Sequence, residues 1–461
     1  MEEKTPRVVI AGTNSGCGKT TVTCAVLQAL LDRGLNVGAF KCGPDYIDPM
    51  FHSRVIGAES SNLDPFFFSE NVMRRLLAKN AKGRDVSVIE GVMGFYDGLD
   101  MRSAAGSTYE VSQTTESPAV LVVGARGAAL SALAVVKGFL ELFPGNRIGG
   151  VIFNRCTAAT YDILKEGVRE RFGGRIEPLG FLPEMPDCSL ESRHLGLVTA
   201  MEVKDLREKL RTLSRQAERS LDLDGLLRLA RSAPPVRWEE KAVRRFSEPV
   251  RIAVARDEAF CFYYEDSLSL LREMGAEIVP FSPLNDAALP DGIDGLYLGG
   301  GYPEVHAERL SANGSMLASV RRALGEGLPC IAECGGFMYL TERIGDFPMA
   351  GVLPGGSFDT GRLCRFGYIE LTAKRDNMLC RAGESIRAHE FHSWDSRDPG
   401  ADFTAEKRSG KSWACVHATD RLYAGYPHFH FCANEAFAEG FYETCLKEKH
   451  SHDRKHQTDG Y

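Results

Sequence analysis

Residues 7–21 read RVVIAGTNSGCGKTT, and this stretch decides the fold of the first half of the chain. Residues 7–11 are rich in β-branched side chains and predict a buried strand. A glycine-rich turn follows, and then the run VTCAVLQALLDRG, which has the apolar spacing of a helix. In this order, the backbone N–H groups of the turn and the helix N-terminus can hold phosphate oxygens. The stretch therefore predicts a nucleotide-binding α/β domain built on a parallel sheet.

The predicted phosphate loop carries the side chains that a magnesium nucleotide requires. We expect Lys19 to reach the outer phosphates and the Thr20 hydroxyl to bind Mg²⁺. The residues assigned to ATP are Gly12, Thr13, Asn14, Gly16, Gly18, Lys19, Thr20 and Thr21. Five residues separate Gly12 from Gly18, whereas the common pattern has four before the Gly-Lys pair, so this loop is one residue longer.

Carboxylates follow two further strands at the same edge of the predicted sheet. Glu90 comes directly after a β-rich run, and Asp97 lies in the loop beyond it. Asp45 and Asp48 follow another apparent strand. Ligands bind at the carboxyl ends of the strands in open α/β sheets, and Mg²⁺ takes only a few protein ligands. The residues assigned to the metal are Thr20, Asp45 and Glu90.

The alternation of strands and helices occurs twice along the chain. It predicts two α/β domains, because strands that alternate with helices form parallel sheets covered on both faces. The expected strands are residues 7–11, 36–40, 86–89, 119–123 and 149–153 in the first half, and 250–255, 277–281 and 295–298 in the second, where 267–274 is an expected helix.

A change of composition separates the two halves. A helical, charged run, LDLDGLLRLARSA, gives way to PPVRWEEKAVRRFSEP, which has prolines, charges and no sustained period. This change is typical of an inter-domain linker, which we place at 226–248. We therefore expect a nucleotide-binding domain at 1–225 and a second domain at 249–445. The polar residues 446–461 are expected to form a disordered tail.

Composition limits the class of protein. The chain has 461 residues, a formal net charge of -7 and a pI near 6.0, which argues against a general nucleic-acid surface. We find no signal-peptide pattern and no apolar run long enough to span a membrane. The 13 cysteines are scattered and lack a CxxC pair, so we expect free thiols and a cytoplasmic protein.

Cys334 lies in IAECGGFMYL, where an apolar strand meets a glycine turn and a helical pattern. This position predicts a thiol at the N-terminus of a helix, where the dipole and free N–H groups lower a thiol pKa. The N–H of Gly335 could hold an oxyanion, and Gly300 and Gly301 of the GGGYPE stretch could complete the oxyanion hole. The alternative is a small buried side chain without a catalytic role.

A thiol nucleophile also needs a base, and four histidines are candidates. His428 and His430 alternate with aromatic residues in YAGYPHFHFCAN, and His389 and His392 occur in RAHEFHSWD. Spacing alone does not choose among these four.

Nine motifs in a fixed order resemble the cobyrinic acid a,c-diamide synthase family, over the chain up to about residue 442. They are GTNSGCGKTT, KCGPDYIDP, EGVMGFYDG, ESRHLGL, DEAFCFYY, LYLGGGYPE, ECGGFMYL, HEFHSW and GYPHFHF. The resemblance implies an N-terminal domain similar to dethiobiotin synthetase, which shares the longer phosphate loop. It also implies a C-terminal domain similar to triad-type glutaminases, in a branch that uses a Cys–His pair without the usual glutamate.

The resemblance assigns roles to particular residues. Cys334 matches the family nucleophile, and His428 matches the histidine that activates it. The residues that the resemblance places near the tetrapyrrole substrate are Asp45, Tyr46, Ile47, Asp48 and Asp97. The roles of His389, Glu390 and His430 stay open.

The implied reaction is the ATP- and glutamine-dependent amidation of the a and c acetates of cobyrinic acid, in cobalamin biosynthesis. Mg²⁺ and ATP would activate each carboxylate, and ammonia from glutamine would arrive through the protein. Nickel-sirohydrochlorin and hydrogenobyrinic acid are alternative substrates. A nucleotide-dependent switch with a decayed thiol site is a rival from another class, which the intact Cys334 and GGGYPE stretch disfavour. A homodimer is left open.

Overall fold

The computed structural model describes residues 1–188 and 200–458, with side chains described for 1–188 and 204–451. The motif ESRHLGL, at 191–197, lies outside the described residues. The chain divides into two compact units, Met1–Glu240 and Lys241–Tyr461. Each unit contains a parallel sheet flanked by helices, as the repeated alternation of strands and helices predicts.

The first unit alternates strands and helices along its whole length. Its strands are β1 (Glu2–Glu3), β2 (Arg7–Gly12), β3 (Val37–Cys42), β4 (Ser60–Leu63), β5 (Val86–Glu90), β6 (Ala119–Gly124), β7 (Ile148–Asn154), β8 (Glu177–Leu182) and β9 (Val236–Arg237). Its helices are α1 (Lys19–Asp32), α2 (Ile47–Phe51), α3 (Glu70–Ala81), α4 (Thr108–Thr114), α5 (Leu130–Leu142), α6 (Ala158–Phe172), α7 (Ala200–Ser220) and α8 (Leu223–Arg231).

The main sheet of this unit has seven parallel strands in the order β4-β3-β5-β2-β6-β7-β8 among the described residues. Every residue of β2 is buried, which explains its near-continuous apolar sequence. From β2 the chain first builds one side of the sheet through β3 and later the other side through β6. The crevice beyond the end of β2 is therefore the switch point at which such sheets bind ligands.

The second unit is richer in strands. Its strands are β10 (Arg251–Ala255), β11 (Phe260–Phe262), β12 (Glu277–Phe281), β13 (Gly295–Leu298), β14 (Gly300–Gly301), β15 (Cys330–Glu333), β16 (Arg343–Ile344), β17 (Phe347–Pro348), β18 (Gly356–Asp359), β19 (Arg365–Ala373), β20 (Ser385–His392), β21 (Trp394–Ser396), β22 (Phe403–Glu406), β23 (Ser412–Cys415), β24 (His417–Ala418), β25 (Leu422–Gly425) and β26 (His428–Phe429). Its helices are α9 (Glu265–Met274), α10 (Ala307–Ala312), α11 (Gly314–Gly325), α12 (Gly335–Leu340) and α13 (Glu435–Thr458).

Two sheets of the second unit position its candidate site. The first has the order β12-β10-β13-β15-β25-β24 and is parallel except for β24. The second is antiparallel, with the order β23-β22-β19-β20-β26. Because β25 leads directly into β26, the chain passes from one sheet to the other beside the end of β15.

The expected strands are present, with ends that differ from the prediction by two residues at most.

The expected linker at 226–248 needs a correction at its beginning. Residues 226–231 belong to α8, in which Leu226, Leu227 and Ala230 are buried. This helix packs against β2, β5 and β8, because its apolar face covers the first sheet.

The expectation of a disordered tail is wrong for residues 446–458, which are the last turns of α13. Contacts with the rest of the unit explain why the helix continues beyond Cys445. Glu448 pairs with Arg421, and Nζ of Lys449 donates to the carbonyl of Pro249 at 2.6 Å. No helix of the described residues is long and apolar enough to cross a membrane.

Candidate active sites

The phosphate loop joins the end of β2 to the start of α1. Gly16 and Gly18 have φ angles of 79° and 97°, in the left-handed region that favours glycine. Lys19 opens the helix, and its Nζ donates to the carbonyl of Asn14, 3.2 Å away. The lysine therefore folds back over the loop, so that a cation and a helix N-terminus lie at the same place. This arrangement suits a phosphate group.

Two neighbouring segments hold the loop. The Asn154 side chain, at the end of β7, donates to the carbonyl of Cys17 at 2.9 Å. A Cβ on Gly18 would lie only 1.9 Å from Nδ2 of this asparagine. On the other side, the N–H of Phe95 donates to the carbonyl of Gly12 at 2.7 Å. The loop is thus preset by contacts within its own unit, and glycine at position 18 is required for space as well as for φ.

Glu90 lies at the centre of a buried cluster at the end of β5. The Thr20 hydroxyl donates to its Oε1 at 2.6 Å, and Nζ of Lys41 lies 3.0 Å from the same oxygen. Nε2 of His52 lies 3.0 Å from Oε2. Lys41 also contacts Asp48 at the start of α2. The predicted metal residues Thr20 and Glu90 are therefore in direct contact, and Lys41 and His52 join them.

The cluster keeps Glu90 ionised although it is fully buried. Burial alone would raise the pKa of Glu90, but the charge of Lys41 and the hydrogen bond with His52 hold it well below its usual value. Burial likewise opposes the charge of Lys41, whose pKa is raised by Glu90 and Asp48. A hydroxyl whose proton is held by a carboxylate keeps its oxygen lone pairs for a cation. Thr20, supported by Glu90, therefore fits Mg²⁺.

The segment at 45–48 lies next to this cluster. Asp45 accepts a hydrogen bond from the N–H of Ile47 at 2.9 Å. Burial and the neighbouring Asp48 raise the pKa of Asp45 to about 6. Tyr46 is buried, and Asp48 is paired with Lys41. Asp48 and Tyr46 are thus used in packing and ion pairing within the protein, whereas Asp45 and Ile47 are partly exposed.

Asp97 lies in a loop that contacts the phosphate loop. Its Oδ2 accepts from the N–H of Gly94 at 3.0 Å. A Cβ on Gly94 would lie 3.1 Å from the carbonyl oxygen of Thr13, so the two loops are adjacent. Burial lowers the pKa of Lys19, and the charges of Glu90 and Asp97 oppose this shift. The sheet edge therefore brings both carboxylate segments to the phosphate loop.

Cys334 forms a sharp turn between β15 and α12. Its φ of 48° and ψ of -100° are rare for a residue with a side chain and cost about 1–3 kcal/mol. The turn is fixed by hydrogen bonds from the N–H of Cys334 to the carbonyl of Gly425 at 2.7 Å, and from the N–H of Gly336 to that of Gly299 at 3.0 Å. All 13 cysteines lie in described residues and none forms a disulfide, and only Cys334 and Cys364 are partly exposed. The strained turn thus presents this thiol to the surface of the site.

The expected decrease in the thiol pKa is not observed. Burial raises the pKa of Cys334 well above its usual value, and the carboxylate of Glu304 adds to this, although the N–H of Gly335 opposes it. The short helix α12 does not outweigh desolvation of the sulfur. The resting thiol is therefore protonated and needs a base to remove its proton.

The three glycines expected at the oxyanion hole lie together. A Cβ on Gly335 would lie 3.3 Å from the backbone nitrogen of Gly301. A Cβ on Gly300 would lie 2.6 Å from Cε1 of His428. The backbone at these positions can therefore approach a substrate and the histidine more closely than any residue with a side chain would allow.

His428 is the histidine that the structure places beside this glycine turn. It follows β25, the strand next to β15, and Nδ1 lies 3.3 Å from Oε2 of Glu333. Burial lowers the pKa of His428 to about 3 and raises that of Glu333 to about 8. A neutral imidazole can accept the proton of the Cys334 thiol.

The other histidines occupy different positions. The ring of His389 stacks on His428 with centroids 5.3 Å apart, and His392 stacks on Tyr426 at 4.0 Å. Nδ1 of His430 accepts from the N–H of Cys432 at 3.1 Å. Of these histidines, His428 is thus the one whose ring lies against Gly300, while His389 packs on that ring.

Sequence reasoning missed four side chains that support the two sites: Lys41, His52, Asn154 and Glu333. The sequence did contain an indication for Lys41, because a lysine inside an apparently buried strand needs an anionic partner. Glu333 also gave one, since it is a carboxylate at the end of an otherwise apolar strand. His52 begins the helical turn that follows α2, and Asn154 is the last residue of β7; only the fold defines their neighbours.

Comparisons with known proteins agree with the two units. A CobQ/CobB/MinD/ParA nucleotide binding domain matches residues 8–198. A CobB/CobQ-like glutamine amidotransferase domain matches residues 251–436. The chain thus combines a nucleotide-binding domain with a glutamine amidotransferase domain.

Curated relatives match the chain over nearly its full length. A cobyrinate a,c-diamide synthase of Thermoplasma volcanium is 39% identical, covering 96% of this chain and 98% of its own. Proteins of the same name from Clostridium acetobutylicum and Priestia megaterium are 40% and 39% identical, covering 93% and 96% of this chain and 98% of their own lengths. The chain therefore belongs to the cobyrinate a,c-diamide synthase family of glutamine amidotransferases.

Proposed function

We propose that this enzyme converts the a and c acetate carboxylates of cobyrinic acid to primary amides, with ATP and the side-chain nitrogen of glutamine. The observation that supports this proposal is the presence of a candidate site in each half of the chain. One is the phosphate loop with Lys19, and the other is the strained turn at Cys334, next to Gly301, with His428 against Gly300. The names of the relatives support cobyrinate as the substrate.

In the proposed glutaminase reaction, His428 takes the thiol proton and Cys334 attacks the side-chain amide carbon of glutamine. The N–H groups around Gly335 and Gly301 stabilise the oxyanion. His428 then gives the proton to the leaving nitrogen, so that ammonia departs and a thioester remains. Water hydrolyses the thioester to glutamate and restores the thiol.

In the proposed synthetase reaction, an acetate oxygen of the macrocycle attacks the γ-phosphate of ATP and releases ADP. Ammonia then attacks the acyl carbon, and phosphate leaves with the bonding electrons. Lys19 and the loop N–H groups bind the transferred phosphate throughout. Activation is needed because a carboxylate is a poor electrophile at neutral pH, and a second round gives the diamide.

Mg²⁺ would neutralise charge on the phosphates when bound. We propose that Thr20 binds it directly, that Glu90 holds the Thr20 hydroxyl, and that Asp45 lies near enough to contribute. The raised pKa of Asp45, about 6, leaves it partly protonated near neutral pH and suits it to a substrate carboxylate as well. Asp97 and Ile47 complete the proposed substrate contacts, while Tyr46 and Asp48 support this surface from within.

Nickel-sirohydrochlorin and hydrogenobyrinic acid stay as alternative substrates, because they present similar acetate side chains. The test is a competition assay in which the three macrocycles are mixed at equal concentration with enzyme, ATP, Mg²⁺ and glutamine. Mass spectrometry then counts the amides formed on each. We expect two amides on cobyrinic acid first, and none with Lys19→Ala. Preferential amidation of the nickel macrocycle would overturn the assignment of substrate.

A further inference from the structure

Glu333 is the last residue of β15 and directly precedes Cys334. Its side chain is 1% exposed and that of His428 is 4% exposed. The contact between Oε2 of Glu333 and Nδ1 of His428, at 3.3 Å, therefore lies in the interior of the second unit. Glu333, the residue before the proposed nucleophile Cys334, thus contacts His428, the proposed base.

The opposite edge of the His428 ring faces the glycine turn. A Cβ on Gly300 would lie 2.6 Å from Cε1 and 3.3 Å from Nε2. An imidazole whose Nδ1–H donates to a carboxylate has no proton on Nε2, so Nε2 can accept one. Burial raises the pKa of Glu333 to about 8, so above this pH its ionised carboxylate selects the tautomer and the ring orientation that a base for Cys334 requires.

The surroundings of Glu333 fix its carboxyl group in place. The backbone N–H of Phe429 and the hydroxyl of Tyr297 lie beside it and lower its pKa, although burial outweighs both. A carboxyl at the end of an apolar strand is costly to bury, which argues against a purely structural place for it.

His430 lies two residues after His428 and has other partners. Its Nδ1 lies 3.4 Å from the Ser267 hydroxyl and accepts from the N–H of Cys432. Its ring packs on Tyr264 with centroids 4.8 Å apart. His430 therefore fixes the turn after β26.

We propose that Glu333 is the positioning residue of a Cys334–His428–Glu333 triad, in which the carboxylate comes from the residue before the nucleophile. The proposal rests on the glutaminase role in the proposed function. Glu333 holds His428 with Nε2 towards the thiol and stabilises the imidazolium that forms when the thiol proton moves to it.

The test compares Glu333→Gln and Glu333→Ala with Glu448→Gln, which removes another buried glutamate of the same unit, paired with Arg421. We expect Glu333→Ala to lower kcat for glutamine hydrolysis by on the order of 10²- to 10⁴-fold. Glu333→Gln should lose less, because its oxygen can still accept from Nδ1–H. KM for glutamine should stay within about threefold of the wild type, since binding is not changed. Glu448→Gln should retain wild-type kcat.

Amidation with free ammonia is the second readout and should be unchanged in both Glu333 variants. A kcat of Glu333→Ala near that of the wild type would overturn the proposal. So would an equal loss of ammonia-dependent turnover, because it would indicate general loss of structure. Failure of the proposed function has a different result: the wild-type enzyme would hydrolyse glutamine but would not amidate cobyrinic acid.

Discussion

Cys334 combines a strained backbone with a thiol that is protonated at rest. The substitution Cys334→Ala removes the thiol and keeps the strained backbone, so it shows the effect of the thiol alone. Alanine keeps the Cβ and hence the same strain at φ 48°, so stability should change little. Glutamine-dependent amidation should fall by at least about 10³-fold, because the nucleophile is gone. Amidation with free ammonia at alkaline pH should stay within about twofold of the wild type. Product is measured by mass spectrometry with each nitrogen source.

The control for this variant is Cys364→Ala, which removes the other partly exposed thiol. It should retain both activities. Loss of ammonia-dependent turnover in Cys334→Ala, with Cys364→Ala intact, would contradict the separation of the two reactions.

The raised pKa of Glu304, in the GGGYPE stretch, leads us to predict that the stability of the protein depends on pH. Burial raises its pKa to about 7, whereas an unfolded chain has a glutamate pKa of about 4.3. Between these values the unfolded chain releases a proton that the folded chain keeps, so stability falls as pH rises through this window. Glu304→Gln removes this contribution, and its urea midpoint should fall less between pH 4 and pH 8. Tryptophan fluorescence is a suitable probe, because Trp394 and Trp413 lie in the second unit. Equal pH dependence in both proteins would refute the prediction.

Single residues show which parts of each candidate site could be predicted from the sequence. Lys19 and Cys334 belong to motifs whose spacing has a physical reason, so their segments could be found from the sequence, whereas His428 was singled out only by the family resemblance. Glu333 and Lys41 depend on partners 95 and 49 residues away, and only the fold defines those contacts. The thiol pKa was predicted in the wrong direction, because a local helix argument cannot account for burial.

The phosphate loop is an element whose shape depends on Gly18. Gly18→Ala would strain φ at 97° and force a Cβ against Asn154, so the loop must shift. We expect the Kd for ATP to rise at least tenfold, since the N–H groups lose their alignment. Glutamine hydrolysis in the other unit should be unchanged. Calorimetric titration with ATP measures the first effect and a glutamate assay the second.

Gly34→Ala is the matched control for this variant. Gly34 also has a positive φ, 78°, but a Cβ there meets nothing within 4 Å. It should lower stability by about 1–2 kcal/mol and leave the Kd for ATP unchanged. Equal Kd values for Gly18→Ala and the wild type would show that the loop is not preset as the structure indicates.

The elements themselves were predicted well where they are buried on both faces and less well at the edges of the domains. The strands at 7–11 and 86–89 were found because each apolar run is followed by a glycine-containing loop. The end of α8 was assigned to the linker because its arginines make the segment look charged in the sequence. The burial of Leu226 and Leu227 is seen only in the fold. The last turns of α13 were missed because Glu448 and Lys449 are held by distant partners.

At the scale of the whole molecule, the two proposed reactions have opposite requirements and share one chain. Glutamine hydrolysis needs water at the thioester, whereas the acyl phosphate in the synthetase reaction must be protected from water. The division into two units, each with its own sheet and its own candidate site, meets these requirements. The sequence repeats the α/β alternation twice and so predicts two domains, but no local pattern indicates how the ammonia travels.

Transfer of ammonia through the protein can be tested with isotopes. Glutamine labelled with ¹⁵N in its side chain is supplied together with a large excess of unlabelled ammonium at neutral pH. We expect the amide product to carry mainly ¹⁵N, because ammonia that reaches bulk water becomes unreactive ammonium and mixes with the unlabelled pool. With Cys334→Ala the product should carry only ¹⁴N, which shows that the unlabelled pool is competent. A wild-type product with the isotope ratio of the bulk solution would mean that ammonia is released to water between the two reactions.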